Sequence, residues 1–352
     1  MERVRIGIIG LGIMGELYAR IYSAHPLAEL VAVSTRREER LAEIAERTGV
    51  KHTYTDYRKM LERPDLDAVV IATPDFLHFE PTRDALESGR HVLVEKPFTT
   101  HVDEADELLR IAHRKGRKIQ VAFNHRWLPP YQQAKSTLAS GKIGRPLAAY
   151  ARKNDTVFVP TEYITWPAQT TPAWFLSSHD VDLIRWLLDD EAVEARALGR
   201  KEVLAARGIP TYDVIQAQVK FSSGAFATFE SAWIYPNTFP SIVDSFVEVL
   251  ASDGHIHLDR KYESIEVSSK DSFTYPKGFL TCEVFGRLRG AFPSCLEDFL
   301  FAIRDDTTPH VTGLDGRQVT AALEAIHKSL ETGNAEPVQP LPHDLPASYA
   351  RG

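Results

Sequence analysis

At 352 residues, 43% of them hydrophobic and 25% charged, the chain has the composition of a globular protein with sequence enough for two domains. Its 48 acidic against 41 basic residues leave a formal net charge of −7, which argues against the basic footprint that binds nucleic acid or anionic membrane. Two cysteines, Cys282 and Cys295, are too few for a disulfide framework and lack the neighbouring histidines of a zinc site. No metal is expected, and a reducing, cytoplasmic setting is.

Val4 to Ile9 reads as an apolar strand, and Gly10, Gly12 and Gly15 follow it in G-x-G-x-x-G spacing. The first glycine permits a tight turn, the second lets backbone approach a pyrophosphate, and the third lets the next helix pack close to the strand. Ile13 and Met14 lie inside this loop and are assigned with the glycines to a dinucleotide. Arg3 and Arg5 before an apolar run superficially resemble a signal peptide, but the glycine spacing explains the same residues. Glu16 to Tyr22 continues as a helix and Leu30 to Val33 as a second strand, completing a βαβ unit.

That second strand ends Ser34-Thr35-Arg36-Arg37, with no acid to bond a ribose 2′-hydroxyl. The run also reads as a solvated charge cluster opening a helix. Thr35 and Arg36 are assigned to a 2′-phosphate, so NADP(H) is the expected cofactor and NAD(H) the second choice.

Ala68 to Ala72, His91 to Val94 and Lys118 to Ala122 are further strands, with helical stretches between. Near-continuous Val and Ile runs indicate strands covered on both faces. Residues 1–122 are therefore expected to form a doubly wound parallel Rossmann domain. Ligands of such sheets bind at the carboxyl ends of strands, where Thr73-Pro74-Asp75 and Glu95-Lys96-Pro97 fall; Lys96 is placed beside the nicotinamide end. Asp75 also reads as a cap for the helix starting near Pro81.

After Asn124 the pattern changes. Pro129-Pro130 breaks the chain, Tyr131 to Ser140 reads as a helix, and Leu147 to Arg152, Asp213 to Phe221, Ala225 to Ala232 and Ser245 to Ala251 alternate as strands of an open, mainly antiparallel sheet. Ser222-Ser223-Gly224 is the hairpin turn between the second and third of these. Pro172 to Leu188 is a helical interruption, and Leu296 to Arg304 and Gly316 to Leu330 are closing helices. Residues 123–352 form the expected α+β substrate-binding and oligomerisation domain.

Taken together, Glu95-Lys96-Pro97, the glycine loop, Thr73-Pro74, Phe123-Asn124-His125-Arg126, His179-Asp180-Val181-Asp182, Trp233 to Pro236 and Gly313-Leu314-Asp315-Gly316 resemble the Gfo/Idh/MocA oxidoreductases over nearly the whole length. That family consists mostly of NAD(P)-dependent dehydrogenases and reductases of sugars and cyclitols, with substrate over the face of a C-terminal sheet that also forms dimers and tetramers. The resemblance implies interconversion of a hydroxyl and a carbonyl on a sugar, cyclitol or related polyol, by a homodimer or homotetramer. It implies that Thr73, Pro74, His78, Glu95, Lys96 and Asn124 contact the cofactor, that Lys96 is the active-site lysine, and that its bond to Pro97 is cis. An ammonium beside the reacting oxygen stabilises developing alkoxide.

By the same resemblance His179 is the catalytic histidine, exchanging the hydroxyl proton, and Asp182, one turn on, binds substrate or orients the ring. Arg126, Asn154, Tyr163, Trp166 and Tyr235 are the further substrate candidates. Trp174, Trp233 and Gln169 belong to the same aromatic and polar set, which suits a carbohydrate surface. One departure stands out: several inositol-type members carry an aspartate four residues before this histidine, and here that residue is Phe175. Either Asp182 or another group such as Tyr163 then supplies the polarity, or the proton path differs. Two other activities stay open on this fold, glycoside cleavage through a transient keto sugar with recycled NAD, and non-enzymatic sensing.

Overall fold

Strands β1 (Val4–Ile9), β2 (Ala28–Ser34), β3 (His52–Tyr54), β4 (Ala68–Ile71), β5 (His91–Val94) and β6 (Ile119–Val121) form one parallel sheet in the order β3-β2-β1-β4-β5-β6. The structure is a computed structural model and describes residues 3–345. The strand order reverses between β1 and β4, the crevice where dinucleotides bind in doubly wound folds. Every residue of β4 and β6 is buried, which is why these strands read as unbroken apolar runs rather than alternating ones. β3 was not anticipated from sequence; its three residues pair with β2 alone and stay largely exposed.

Helices α1 (Ile13–Ala24), α2 (Glu38–Thr48), α3 (Tyr57–Leu61), α4 (Phe79–Glu87) and α5 (Val102–Lys115) connect the strands. In α5 Val102, Ala105, Leu108, Leu109 and Ala112 turn inward at helical spacing while Asp103, Glu107, Arg114 and Lys115 face water. Burying each such leucine contributes about 1.5–3 kcal/mol. α5 stops at Gly116, in the left-handed region at φ 61°, which a glycine enters without a steric penalty.

The second sheet begins after α6 (Pro129–Ala139) with β7 (Pro146–Thr156). α7 (Ser178–Leu188) intervenes, followed by β8 (Ala192–Arg200), β9 (Val214–Phe221), β10 (Phe226–Tyr235), β11 (Val243–Ala251) and β12 (Gly254–Asp259). Two small hairpins pair β13 (Val267–Ser268) with β14 (Phe273–Thr274) and β15 (Cys282–Val284) with β16 (Arg287–Arg289). With β17 (Glu336–Pro337) the large sheet runs β12-β11-β7-β10-β9-β8-β17, antiparallel throughout except for the parallel β7–β10 pair. In β9, buried Ile215, Ala217, Val219 and Phe221 alternate with exposed Gln216, Gln218 and Lys220, so one face of the sheet is packed and the other is polar. Ser222 to Gly224 makes the β9–β10 turn, with Gly224 at φ 90°.

α8 (Ala291–Arg304) and α9 (Gly313–Thr332) precede β17 in the chain. Thr312 and Asp315 cap α9 reciprocally: the Thr312 amide donates to Asp315 Oδ2 at 2.8 Å and the Asp315 amide donates to Thr312 Oγ1 at 3.2 Å. A Cβ on Gly316 would stand 2.6 Å from Phe98 Cβ, so this glycine lets the helix start lie directly on the loop after β5. One compact unit comprises the chain through Phe123, Phe292–Arg317 and the stretch from Leu341; the other comprises Asn124–Ala291 and Gln318–Pro340.

Candidate active site

In the first unit, the glycine loop divides its work among three residues. Gly10 has φ +92°, and a Cβ there would lie 2.5 Å from the Ala72 carbonyl oxygen; a Cβ on Gly15 would lie 1.9 Å from the Gly10 oxygen. Both are demanded by packing at the β1–β4 crossover. Gly12 is different, since a Cβ there meets nothing within 4 Å. Its missing side chain leaves open space over the start of α1, whose N-cap is Gly12 itself with no side-chain cap. First-turn amides of this kind suit a phosphate. Ile13 in the same loop is 47% exposed.

At the end of β2, Thr35 donates its amide to the Tyr54 carbonyl, and Arg36 is exposed, with no hydrogen bond or ion pair among the described residues. The nearby Arg40 and Arg47 are committed, both to Glu16. Arg36 is thus a cation without an internal carboxylate, beside a strand end that carries no acid.

The ends of β4 and β5 are tied by His78. Its Nδ1 lies 2.7 Å from the Pro97 carbonyl oxygen and its Nε2 lies 3.0 Å from that of Thr73. Burial pulls this imidazole down to about 4 while the two carbonyls act the other way; as a neutral ring it donates to one of them and only faces the other. Asp75 bonds its own turn, accepting from the Phe76 amide at 2.7 Å, and α4 starts at Phe79.

Glu95 is buried, and burial raises its carboxyl above the usual range, while the Lys96 charge and the Tyr18 hydroxyl act the other way. Tyr18 donates to Glu95 Oε1, and the Lys96 amide donates to Oε2 at 3.1 Å. The Lys96–Pro97 bond is cis, as the resemblance implies. Tyr18 was missed in the sequence reading; its place on α1, three residues after Gly15, was the only available signal.

In the second unit, His179 sits in the first turn of α7 with its ring stacked on His125, centroids 4.2 Å apart and planes 14° from parallel. Arg260 reaches His125 Nε2 at 3.1 Å. Asp182 and Arg126 meet each other, Nε to Oδ2 at 3.0 Å and Nη2 to Oδ1 at 2.5 Å, both buried. Lys153 and Asp180 form a second buried pair; burial lowers the lysine and raises the aspartate from their ordinary values, against their mutual attraction. Asn154 donates to Glu230 at 2.7 Å and to the Tyr235 hydroxyl at 3.1 Å. Tyr163 is 40% exposed, its hydroxyl raised by partial burial and by the Asp155 charge.

The aromatic set divides. Trp233 is fully buried with Ile164, Leu176 and Leu204; Phe175 and Trp166 pack on that cluster, and Trp174 stacks on His327. Trp174 and Trp233 therefore build core rather than a carbohydrate surface. Phe175 lies in a π-helical turn, Ala173–Ser177, that precedes α7, and it sets its ring edge-on against Trp233 and Trp166. Arg260 and the Lys153–Asp180 pair had no local signal, because their partners lie far away in sequence.

Residues 4–123 match the model of an oxidoreductase family with an NAD-binding Rossmann fold, and residues 131–257 match the Gfo/Idh/MocA C-terminal domain. A scyllo-inositol 2-dehydrogenase (NAD(+)) of Bacillus subtilis is 30% identical over 348 residues, 96% of each chain. The chain belongs to the Gfo/Idh/MocA oxidoreductase family. A myo-inositol 2-dehydrogenase of Thermotoga maritima is 27% identical over 334 residues, 93% of this chain and 96% of its own. The crystal structure of a scyllo-inositol dehydrogenase from Lactobacillus casei with NAD(H) and scyllo-inositol bound shares the fold, with a TM-score of 0.83 at 23% identity over 96% of this chain and 99% of that one. As a Gfo/Idh/MocA member, the protein is an NAD(P)-dependent oxidoreductase acting on CH–OH groups. Among the described residues, no helix is long and apolar enough to cross a membrane.

Proposed function

We propose that this oxidoreductase interconverts a secondary hydroxyl and a carbonyl on a sugar, cyclitol or related polyol, and that it prefers NADP(H) to NAD(H). The observation that carries the cofactor preference is the β2 end, where Thr35 and the uncommitted Arg36 stand in place of an acid. The open cradle at Gly12 supports dinucleotide binding on the same loop. The chemistry supplied by a bound nicotinamide is exchange of a hydride with the carbinol carbon.

Lys96 carries the oxygen. Its ammonium, fixed at the backbone by Glu95 and Pro97, stabilises alkoxide character and lowers the barrier to losing the hydroxyl proton. His179 takes that proton during oxidation and returns it during reduction, a task suited to an imidazole near neutral pH. The relatives' inositol substrates support a polyhydroxylated ring, and Asn154, Tyr163 and Tyr235 supply hydrogen-bonding groups in the second unit.

Fluorescence titration of the full chain with NADPH and NADH tests the cofactor assignment, and Thr35→Asp should reverse the preference. Equal affinities, or tighter NADH binding by the parent, overturn it. A panel of inositols, sugars and sugar acids with oxidised cofactor then tests the reaction. Nicotinamide reduction in step with substrate loss is the expected result, whereas substrate conversion with no net change in cofactor would assign the glycoside-cleaving route instead.

A further inference from the structure

A guanidinium has hydrogen-bond donors and no acceptor. Where Arg260 meets His125 Nε2 at 3.1 Å, the imidazole nitrogen must therefore accept. The ring proton of His125 is then on Nδ1, and a second proton has no place to go while Arg260 holds Nε2. His125 is neutral. It and Arg260 are buried at 4% exposure each, and the Tyr131 ring stands 5.9 Å from His125. The face of this neutral ring lies on His179, 4.2 Å away and 14° from parallel.

We propose that His125 is a positioning residue for proton transfer: held neutral by Arg260, it offers its π face to His179 and stabilises the imidazolium that His179 becomes when it accepts a proton. A cation over an aromatic face is attracted by the ring, and more strongly where water is excluded. The inference rests on the reading of His179 as the proton acceptor. In the step it serves, the substrate O–H bond breaks, the proton passes to the His179 ring, the carbon loses a hydride to the oxidised nicotinamide, and the C–O bond becomes a carbonyl.

The other charged groups on the elements packed against α7 are largely paired. Lys153 on β7 holds Asp180, Arg152 holds Asp244, and Arg126 holds Asp182. Lys135 on α6 donates to the Trp186 carbonyl. Asp155 follows Asn154 on β7, and Glu230 and Tyr235 on β10 bond Asn154. Arg260 itself lies 3.6 Å from Glu263. The stack is a direct ring contact between His179 and the histidine that Arg260 holds.

The test is the histidine titration of the full chain by NMR, with the His179 signal identified by its loss in His179→Gln. His125→Leu removes the π face, and His125→Phe keeps a flat ring while removing the nitrogen that Arg260 holds. The His179 pKa should fall by about one unit, a tenfold shift in its protonation equilibrium, in His125→Leu and stay near the parent value in His125→Phe. The alkaline-rising limb of the oxidation rate should move down by the same amount in the leucine variant. An unchanged His179 pKa in a folded leucine variant overturns the inference, as does an equal fall in both variants. If His125→Leu does not fold, the phenylalanine variant alone decides, and a fall there refutes it. A shifted NMR pKa with an unshifted rate profile leaves the stack in place and refutes the role of His179 in proton transfer.

Discussion

Arg126 and Asp182, locked together at 2.5 and 3.0 Å and both buried, cannot be altered one at a time without leaving a charge stranded. Removing one member of such a pair typically costs about 3–5 kcal/mol, because the partner's desolvation is no longer offset. Asp182→Asn is expected to lower unfolding free energy by that order, read by urea denaturation, and to reduce activity through the fold. A variant with parent stability and a changed substrate KM would instead return Asp182 to direct substrate contact. Lys96→Ala should differ in kind: cofactor affinity near the parent and turnover lower by about a hundredfold or more, the loss expected when a preorganised charge leaves the reacting oxygen. Turnover within a few-fold of the parent would remove Lys96 from catalysis. The residue types at positions 96, 179 and 182 were visible in the sequence because each carries chemistry in a compact motif. The groups that hold their neighbours were not: Tyr18 on Glu95, Arg260 on His125 and Lys153 on Asp180 are named only by the fold.

At the scale of one element, the loop into α1 separates two kinds of glycine that sequence spacing treats alike. Gly15→Ala would drive a methyl to 1.9 Å from the Gly10 oxygen, whereas Gly12→Ala enters open space at an ordinary φ of −75°. Gly12→Ala should therefore melt within a degree or two of the parent without cofactor, or slightly higher because alanine restricts the unfolded chain, and yet bind dinucleotide about tenfold or more weakly. Gly15→Ala should lose folded stability itself. Thermal melts with and without NADPH distinguish these, and a Gly12→Ala protein with parent affinity would show that no phosphate approaches there. The glycine loop and the strands on either side were legible because both the backbone and the packing constrain them. β8 was not legible: its Ala192–Arg200 run is rich in Ala, Glu and Arg, it buries only Ala195 and Ala197, and Leu198 is 75% exposed. A strand that packs through alanines gives no apolar alternation to read.

Over the molecule as a whole, three histidines are kept neutral by the fold. His78 and His91 in one unit and His327 in the other are all held down at about 4, chiefly by burial. His327 also stacks on Trp174 and bonds Thr171 and the Leu323 carbonyl. An unfolded chain carries these imidazoles near their ordinary pKa of about 6.5. Between that value and about 4 the unfolded state binds protons that the native state refuses, so stability rises with pH across this window. Their contribution is complete above about pH 7 and is lost as pH falls toward about 4, each site weighing on the order of 3 kcal/mol when fully expressed. Arg5 holds Asp67 below the ordinary carboxylate range, so that pair weakens only at still lower pH. Urea unfolding of the full chain should therefore show a steep fall in stability from about pH 7 to about pH 5, involving both units. His327→Gln should flatten that fall while lowering stability at neutral pH, since glutamine cannot titrate but also cannot reproduce the ring stack. A stability that stays level from about pH 7 to about pH 5 would mean that these imidazoles are charged, or accessible to water, in the native protein.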